Sequence, residues 1–471
     1  MNRQLYQLIR DAILQQWLPV GLQLPSSREL AHELGMARNT VMFAYEQLIA
    51  EGFLETRPGA GSFIADTAPE RLSLQPPSAQ AQVPLPAFSQ RGARLLAHTG
   101  VSEQQAGAFM AGVPDVSHFP HKVWTRLQNK VWRRARLEML SYSQDGGYLP
   151  LRSAIADYLR LARSVNCSAE NVLITHGIHQ SIDLIAKLLA DGGERAWVED
   201  PGYWGTKSVL HALDITPQAV PVDEEGLQFD AAQEGPAPRL IFVTPSHQYP
   251  TGALMSLARR RQLIEYAQAK QAWIIEDDYD SEFRFMGRPL ASLQGMDTHG
   301  RVLYAGTFSK TLFPGLRIGF LVTPPALAAA FAKGLSELYR GGHLFTQAVL
   351  TDFLQEGHFA AHVRRMRQLY GERRLCLQQA IQQELPGARL SSSGEAGLHL
   401  TLRLADGCDD VAISRAARAV GVIARPLSAY YLQPETPGAR GLVLGYAHVP
   451  EAQIAPAFAR LAQVIRAHGG G

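Results

Sequence analysis

The chain changes its hydrophobic period several times, and those changes divide it. "LPSSRELAHELG" (24–35) predicts a short helix, with Ser26 and Glu29 suited to a capping box and Gly35 to a stop. "MARNTVMFAYEQLIA" predicts a second helix over about 38–50, with Val41, Tyr45 and Leu48 on one face. Two short strands then flank the turn "RPGAG" at 57–61. Helix, tight turn, helix and hairpin is the pattern of a winged helix-turn-helix. The stretch "ADTAPERLSLQPPSAQAQVPLPAFSQ" keeps neither period and is rich in Pro, Ala, Ser and Gln, which predicts a linker over 66–105. Beyond it, helical patterns alternate with short apolar runs: "NVLIT" 171–175, "RAWVED" 195–200, "RLIFVT" 239–244, "AWIIED" 272–277, "RVLYAGT" 301–307 and "GFLVTP" 319–324. Apolar strands separated by helices predict an α/β fold with a mostly parallel sheet. The arginine-rich "HVRRMRQLYGERRL" (362–375) predicts a helix. "LHLTLRL" 398–404, "GVIARP" 421–426 and "GLVLGYA" 441–447 predict strands of a small α+β subdomain. The expected layout is a DNA-reading or interaction module at 1–65, the linker, and a large domain at 106–471.

At 471 residues, two or more domains are expected. A net charge of +2 gives no general affinity for polyanions, so any nucleic-acid binding must come from a local patch. Residues 1–65 hold five Arg and no Lys against six acids, so pattern alone also fits a small protein-interaction module. In a DNA reader, the second helix enters the major groove N-terminus first. Arg38, Asn39 and Thr40 then stand near bases and phosphates, Ser27 and Arg28 at the start of the preceding helix, and Arg57 on the wing. Arg pairs bidentately with guanine and Asn with adenine, so the residue types suit that task. The three cysteines, Cys167, Cys376 and Cys408, have no metal-ligand spacing, and their odd number resists a disulfide framework. That points to a reducing cytosol and to no metal site. No run of about 18 apolar residues occurs, and "MNRQLYQLIRDAI" lacks an apolar h-region, so neither a membrane span nor a secretory signal is expected.

The chemistry concentrates in "TFSKTLFPGLRIGF" (307–320). A Schiff-base cofactor needs a lysine amine, a phosphate cradle, a partner for its pyridine nitrogen and a ring-stacking face. Lys310 offers the amine, and Thr307, Ser309 and Arg317 offer hydroxyls and a guanidinium for phosphate. "THGIHQ" (175–180) ends a strand and opens a helix, so the amides of Ile178 and His179 are available for a second phosphate contact. Asp277 sits at a strand's carboxyl end, where it suits the pyridine nitrogen. Tyr279 suits the ring's phenolic oxygen, and Tyr203 or Trp204 the ring face. The arginine-rich helix reads as a solvated face packed by its apolar side. Within a DNA-binding dimer it offers instead a phosphate-contacting surface.

The N-terminal stretch "LPSSRELAHELGMARNTVMFAYEQLIAEGFLETRPGAGSFIA" resembles the GntR-type winged helix. "AGVPDVSHFP", "YSQDGGYLPLRSAIADYL", "EDPGYWG", "IIEDDYDSEF" and "TFSKTLFPGLRIGF", in that order, resemble fold-type I aminotransferases. Their fusion resembles the MocR/GabR family of pyridoxal-phosphate (PLP)-dependent bacterial regulators, as do "TPSHQYPTG" and the "EDDYDSEF" spacing. The resemblance implies an operator-binding regulator rather than an enzyme, with PLP on Lys310. It also implies a head-to-tail, domain-swapped homodimer in which Tyr142 reaches the phosphate of the neighbouring subunit. Two departures matter. Tyr249 replaces the asparagine of the aminotransferase Asn-Pro-x-Gly, leaving its duty to Tyr279, His247 or Gln248. Val443 stands where relatives place an arginine that grips an amino acid's carboxylate, and Gly205 where some offer a second one. A valine cannot pair a carboxylate, and burying one unpaired is costly. Arg425 and Arg440 are the nearby substitutes in sequence. With that grip lost, PLP itself is expected to be the signal, as in the PdxR-like members that regulate vitamin B6. The alternatives are an amine or amino-acid effector, or a working aminotransferase with a DNA-binding head.

Overall fold

The computed structural model describes residues 2–66, 88–97, 107–135, 137–141, 146–228, 235–287, 291–392 and 395–469. It divides into two compact units, Met1–Ala87 and Phe88–Gly471.

Among its described residues the first unit holds three helices, α1 (Asn2–Leu14), α2 (Ser27–Glu33) and α3 (Arg38–Ala50), and a hairpin of β1 (Leu54–Arg57) and β2 (Gly61–Ile64). Its core forms where the three helical stripes meet: Leu5, Tyr6 and Ile9 from α1, Ala31 from α2, and Val41, Ala44, Tyr45 and Leu48 from α3. Leu54 and Ile64 pair across the hairpin and close that core from below. The capping box is present, with Glu29 N donating to Ser26 Oγ (3.3 Å) and Ser26 N donating to Glu29 Oε2 (2.9 Å). Ser26→Ala is expected to cost about 1 kcal/mol of stability. Thermal unfolding should show it as a lowered midpoint for this unit, with that of the second unit unchanged.

The second unit is built on an eight-stranded sheet. Its strands are β3 (Val172–Thr175), β4 (Arg195–Asp200), β5 (Thr216–Asp223), β6 (Gly226–Leu227), β7 (Leu240–Val243), β8 (Trp273–Asp278), β9 (Val302–Thr307) and β10 (Gly319–Val322). The order is β3-β10-β9-β8-β7-β4-β5-β6. Only β10 and the two-residue β6 run antiparallel to their neighbours. The central strands are buried on both faces, because helices such as Ile178–Leu189 and Leu257–Lys270 cover them. The apolar runs read from sequence each correspond to one of these strands. Strand β5, "TPQAVPVD", escaped that reading. Its two prolines deny it a ladder donor at each, and it survives because it lies near the sheet edge.

A four-stranded antiparallel sheet forms the small subdomain: β11 (Arg389–Leu390), β12 (His399–Arg403), β13 (Arg425–Pro426) and β14 (Gly441–Gly445), in the order β11-β12-β14-β13. The strand expected over 421–426 shrinks to two residues, Arg425–Pro426, while Val422 makes an isolated bridge to Ala108 instead. Residues 90–97, inside the stretch read as linker, form a helix, and Arg94 on it pairs with Asp214 (3.0 Å).

The arginine-rich stretch lies in a 27-residue helix, His358–Glu384. It is not a uniformly solvated face. Arg373 is 2 % exposed and donates to Asp115 Oδ2 (2.7 Å) and Glu451 Oε1 (2.8 Å). Asp115, of the "AGVPD" motif, is held at a pKa of about 2 against its own burial by Ser117 and this guanidinium. Arg374 is buried too, over the Phe285 ring. Arg365 and Arg367 are exposed, and they spend donors on the carbonyls of His118 and Glu282. Arg364, beside them, is exposed.

Candidate cofactor and effector site

Four strand ends meet in one row. Gly319, at the start of β10, is registered opposite Thr175 at the end of β3 and Thr307 at the end of β9. On the next strand, Asp277 and Asp278 of β8 pair with Ala305 and Gly306 of β9. Parallel strands in such sheets bring their carboxyl ends to the ligand crevice, and here that edge carries Asp277, Thr307, Ser309, Lys310 and the 175–180 turn.

Lys310 is the centre. Its Nζ donates to the carbonyl of Gly112 (2.7 Å). Gly112 has φ +76°, and a Cβ there would lie 2.9 Å from Nζ, so the lysine and the glycine are fitted to each other. Burial lowers the pKa of this amine, while Asp280 and Asp277 act against that and Arg425 and Arg317 reinforce it. A buried amine pushed toward its neutral form is the nucleophile that a Schiff base requires.

Two adjacent carboxylates divide their tasks. Side chains alternate across a strand, and Asp278 is committed to Arg163 Nε (2.7 Å) and the Tyr304 hydroxyl. Asp277 faces the other way. Its Oδ1 is buried without a hydrogen-bond partner among the described residues. Burial, with Asp278 adding, pushes its pKa up to about 8. A protonated ring nitrogen is the kind of partner that such a carboxyl lacks.

The phosphate side is equally specific. Ser309 Oγ is buried without a partner among the described residues, and Ser309 N donates to Thr307 Oγ1 (3.1 Å). Gly177 caps the helix Ile178–Leu189 with φ 103° and no side-chain cap, which leaves the amides of Ile178 and His179 for an anion. A Cβ on Gly177 would stand 3.8 Å from the Arg317 guanidinium, so the helix start and that cation face one space. Thr307, Ser309, Arg317, Ile178 and His179 thus converge as the sequence led one to expect. The donor set fits a phosphate, and the lone Asp277 oxygen fits a pyridine nitrogen.

Tyr203 borders the same space. Its hydroxyl meets His179 Nε2 at 2.7 Å, and Asp277 and Arg317 both act on it. Trp204 lies 5.4 Å from it, ring to ring. Tyr279 hydrogen-bonds His247 Nδ1 (2.8 Å), which is itself 3.1 Å from Asp280. Gln248 is excluded from the asparagine's duty, because its amide nitrogen is spent on Pro201 O and Tyr249 O (2.8 Å each) and its oxygen on Thr251. Tyr249 turns instead to the Tyr430 hydroxyl (3.0 Å). Sequence reasoning missed the Gly112 carbonyl and the His247–Asp280 pair, since a backbone acceptor and a second-layer carboxylate leave no residue-type signal. Tyr142 lies outside the described residues.

On the first unit, Arg28, Arg38, Asn39 and Arg57 are exposed. Arg38 Nε lies 3.4 Å from Ser27 Oγ, which joins the starts of α2 and α3. Arg57 pairs with Glu55 (2.6 Å) and covers the Phe63 ring. Thr40 departs from expectation. It is only 9 % exposed, because the helical period turns it toward Val41 and Ala44 in the core, and the presented start of α3 is Arg38 and Asn39.

Among the described residues, no helix is long and apolar enough to cross a membrane, and no group of His, Cys, Asp or Glu is placed to hold a metal.

Comparison with known proteins agrees with this division. Residues 1–64 match the bacterial regulatory proteins of the gntR family, and residues 111–461 match aminotransferase class I and II. The "Probable rhizopine catabolism regulatory protein MocR" of Rhizobium meliloti is 39% identical over 95% of this chain and 90% of its own. The pyridoxine biosynthesis transcriptional regulator PdxR of Corynebacterium glutamicum is 32% identical over 94% of this chain and 91% of its own. Among solved structures, the α-aminoadipate aminotransferase LysN of Thermus thermophilus, complexed with N-(5'-phosphopyridoxyl)-L-leucine, aligns with a TM-score of 0.73 at 27% identity, covering 81% of this chain and 97% of its own. The fold is therefore that of a fold-type I aminotransferase carrying a DNA-binding head, and the chain belongs to the MocR family of transcription regulators.

Proposed function

We propose that the protein is a cytoplasmic, PLP-responsive transcription regulator. It reads operator DNA through Ser27, Arg28, Arg38, Asn39 and Arg57, and it senses PLP at Lys310. Residues 1–65 form the DNA-binding domain and 106–471 the effector domain. The single observation that carries the reading is the gathering about Lys310 of two buried oxygens without partners among the described residues, Asp277 Oδ1 and Ser309 Oγ, with the Arg317 guanidinium. When bound, PLP supplies an electrophilic aldehyde carbon conjugated to an electron-withdrawing ring.

The residues provide the rest. Gly112 O aims the Lys310 amine, and burial keeps it ready to attack. Asp277, protonated below about pH 8, can give its proton to a ring nitrogen and stay behind as the counter-charge. Arg317, Ser309, Thr307 and the Gly177 turn hold a phosphate. The Tyr279–His247–Asp280 chain orients a phenolic donor toward the ring. PLP shifts the regulator between DNA-binding geometries through its differential affinity for them. On this reading the active form is a head-to-tail, domain-swapped homodimer, as the resemblance implies. A relative named for pyridoxine biosynthesis supports control of vitamin B6 metabolism.

Turnover is not the purpose on this reading, because Val443 and Gly205 remove both usual carboxylate grips. A steady-state transamination assay with common amino donors should give negligible rates from PLP-saturated protein that still shifts operator DNA. Rates comparable to those of the aminotransferases would overturn it. The second reading, an amine or amino-acid effector, is favoured by one observation: Arg425 stands directly opposite Val443 across β13 and β14.

A further inference from the structure

Beside the cofactor pocket a short segment joins the small subdomain to the main sheet, and a buried lysine holds it there. After β13 the chain makes a tight turn, Leu427–Tyr430, and runs on to Leu432. The start of the segment is tied to the small subdomain. Ser428 N and Oγ donate to Oδ2 and Oδ1 of the buried Asp410 (2.9 and 2.7 Å). Its end is tied to the main sheet. Leu432 packs against the apolar cluster that holds Ile185, Val198 and Leu210, and its amide donates to Asp200 Oδ1 (2.8 Å). Between the two anchors stands Tyr430, whose hydroxyl meets that of Tyr249 (3.0 Å) and acts on Tyr203 at the ring face.

The grip on Tyr430 is also on its backbone. Its carbonyl accepts from Gly202 N (3.0 Å) and from Lys207 Nζ. Lys207 is buried, and its Nζ lies 3.5 Å from Asp200 Oδ1, the same oxygen that takes the Leu432 amide. One ion pair thus fastens two points of the segment, Tyr430 and Leu432, to the end of β4 and to the helix Trp204–Ala212. Tyr203 caps that helix, and Lys207 follows one turn later. Residues four apart share a side of a helix, so the ring-face tyrosine and this lysine stand on one side of one element. Burial pushes the Lys207 amine down to about 8 and raises Asp200, each opposed by the charge of the other. A buried ion pair adds little net stability over apolar side chains of similar volume. Stability therefore does not account for this pair, and what it does in the structure is hold the segment.

We propose that Lys207 is a positioning residue that latches residues 427–432 over the pocket, and that release of this latch sets the rate at which PLP enters and leaves. The inference rests on the reading of Lys310 as the PLP lysine. It separates the groups that bind the cofactor from the device that admits it. A gate of this kind changes both rates together and leaves the balance between them nearly unmoved.

The test follows PLP exchange on the full-length protein. The rise of visible absorbance after rapid mixing with PLP gives the entry rate. Transfer of bound PLP to an excess of a PLP-free aminotransferase, read by the recovered activity of that enzyme, gives the exit rate. Lys207→Met combined with Asp200→Asn removes both charges together and keeps an oxygen for the Leu432 amide, so no buried charge is stranded. Loss of a charge-assisted hydrogen bond should raise the unlatched population, and with it both rates, roughly 10–100-fold, while Kd moves less than about threefold. In the PLP-bound wild type, with no substitution at all, the Gly202 and Leu432 amides should be protected from hydrogen exchange. Unchanged rates in a double variant that shows the cofactor band, a faster exit with entry unchanged, or unprotected amides overturn this inference alone. Absence of any band in the wild type overturns the PLP reading and this inference with it.

Discussion

Lys310→Ala is expected to leave a folded protein that no longer develops the visible absorbance of bound PLP and whose operator binding no longer responds to PLP. The substitution removes a buried amine whose charged form is disfavoured, and it strands the Gly112 carbonyl that accepted from it. The first change relieves desolvation and the second costs about 1–3 kcal/mol, so net stability changes little. The lost property is the covalent attachment. What remains is the phosphate clamp of Arg317, Ser309 and the Gly177 turn, and PLP affinity should fall at least about 100-fold, or about 2.7 kcal/mol. Absorbance titration and equilibrium dialysis measure the two effects separately. A variant that binds PLP as tightly as the wild type would remove Lys310 from the role given to it.

The second large effect concerns Asp277. Its ordinary pKa is 3.8, and in the folded, cofactor-free protein burial raises it to about 8. Between those values the folded state holds a proton that the unfolded state has released. The folded state then binds more protons, and stability falls as pH rises through that window. Asparagine does not titrate. The melting temperature of Asp277→Asn minus that of the wild type should therefore climb steadily from about pH 4 to about pH 8, both proteins being free of PLP. Glu276, also raised to about 7 by burial, contributes the same slope to both proteins and cancels in the difference. With PLP the ordering reverses. The carboxylate gains a cationic partner, and Asp277→Asn should bind PLP roughly 10–100-fold more weakly, since it forfeits a charge-assisted hydrogen bond. A flat difference across pH, or unchanged PLP affinity, would contradict this assignment.

Much of this architecture was legible because local signals agreed with one another. The apolar runs ending in Thr175, Thr307 and Asp277 marked buried strands, and the chemistry-bearing residues followed each run directly. Ser26 and Glu29 announced a helix start that the structure realises through both reciprocal hydrogen bonds. Where the reading failed, tertiary context had overruled composition. Prolines hid β5, which tolerates them near an edge. Thr40 looked like a base-reading residue by its place in the motif, yet the helical period turned it inward. The arginine-rich helix looked solvated, although Arg373 closes a buried network with Asp115 and Glu451. Arg425 and Arg440 were indistinguishable in the chain. Only the register with Val443 and the acids around Arg440 separate them.

Coupling between cofactor and DNA is the central claim, and operator affinity as a function of PLP tests it most directly. Cofactor-free wild type and Lys310→Ala are titrated with PLP at fixed salt, while binding to the operator upstream of the regulated genes is followed by fluorescence anisotropy and footprinting. Fixed salt is essential because phosphate contacts dominate such affinities. The account predicts that PLP changes the affinity or the footprint of the wild type, with a midpoint matching the rise of its visible absorbance, and leaves Lys310→Ala unmoved. Identical binding by the wild type with and without PLP, over a range in which the absorbance saturates, would contradict it.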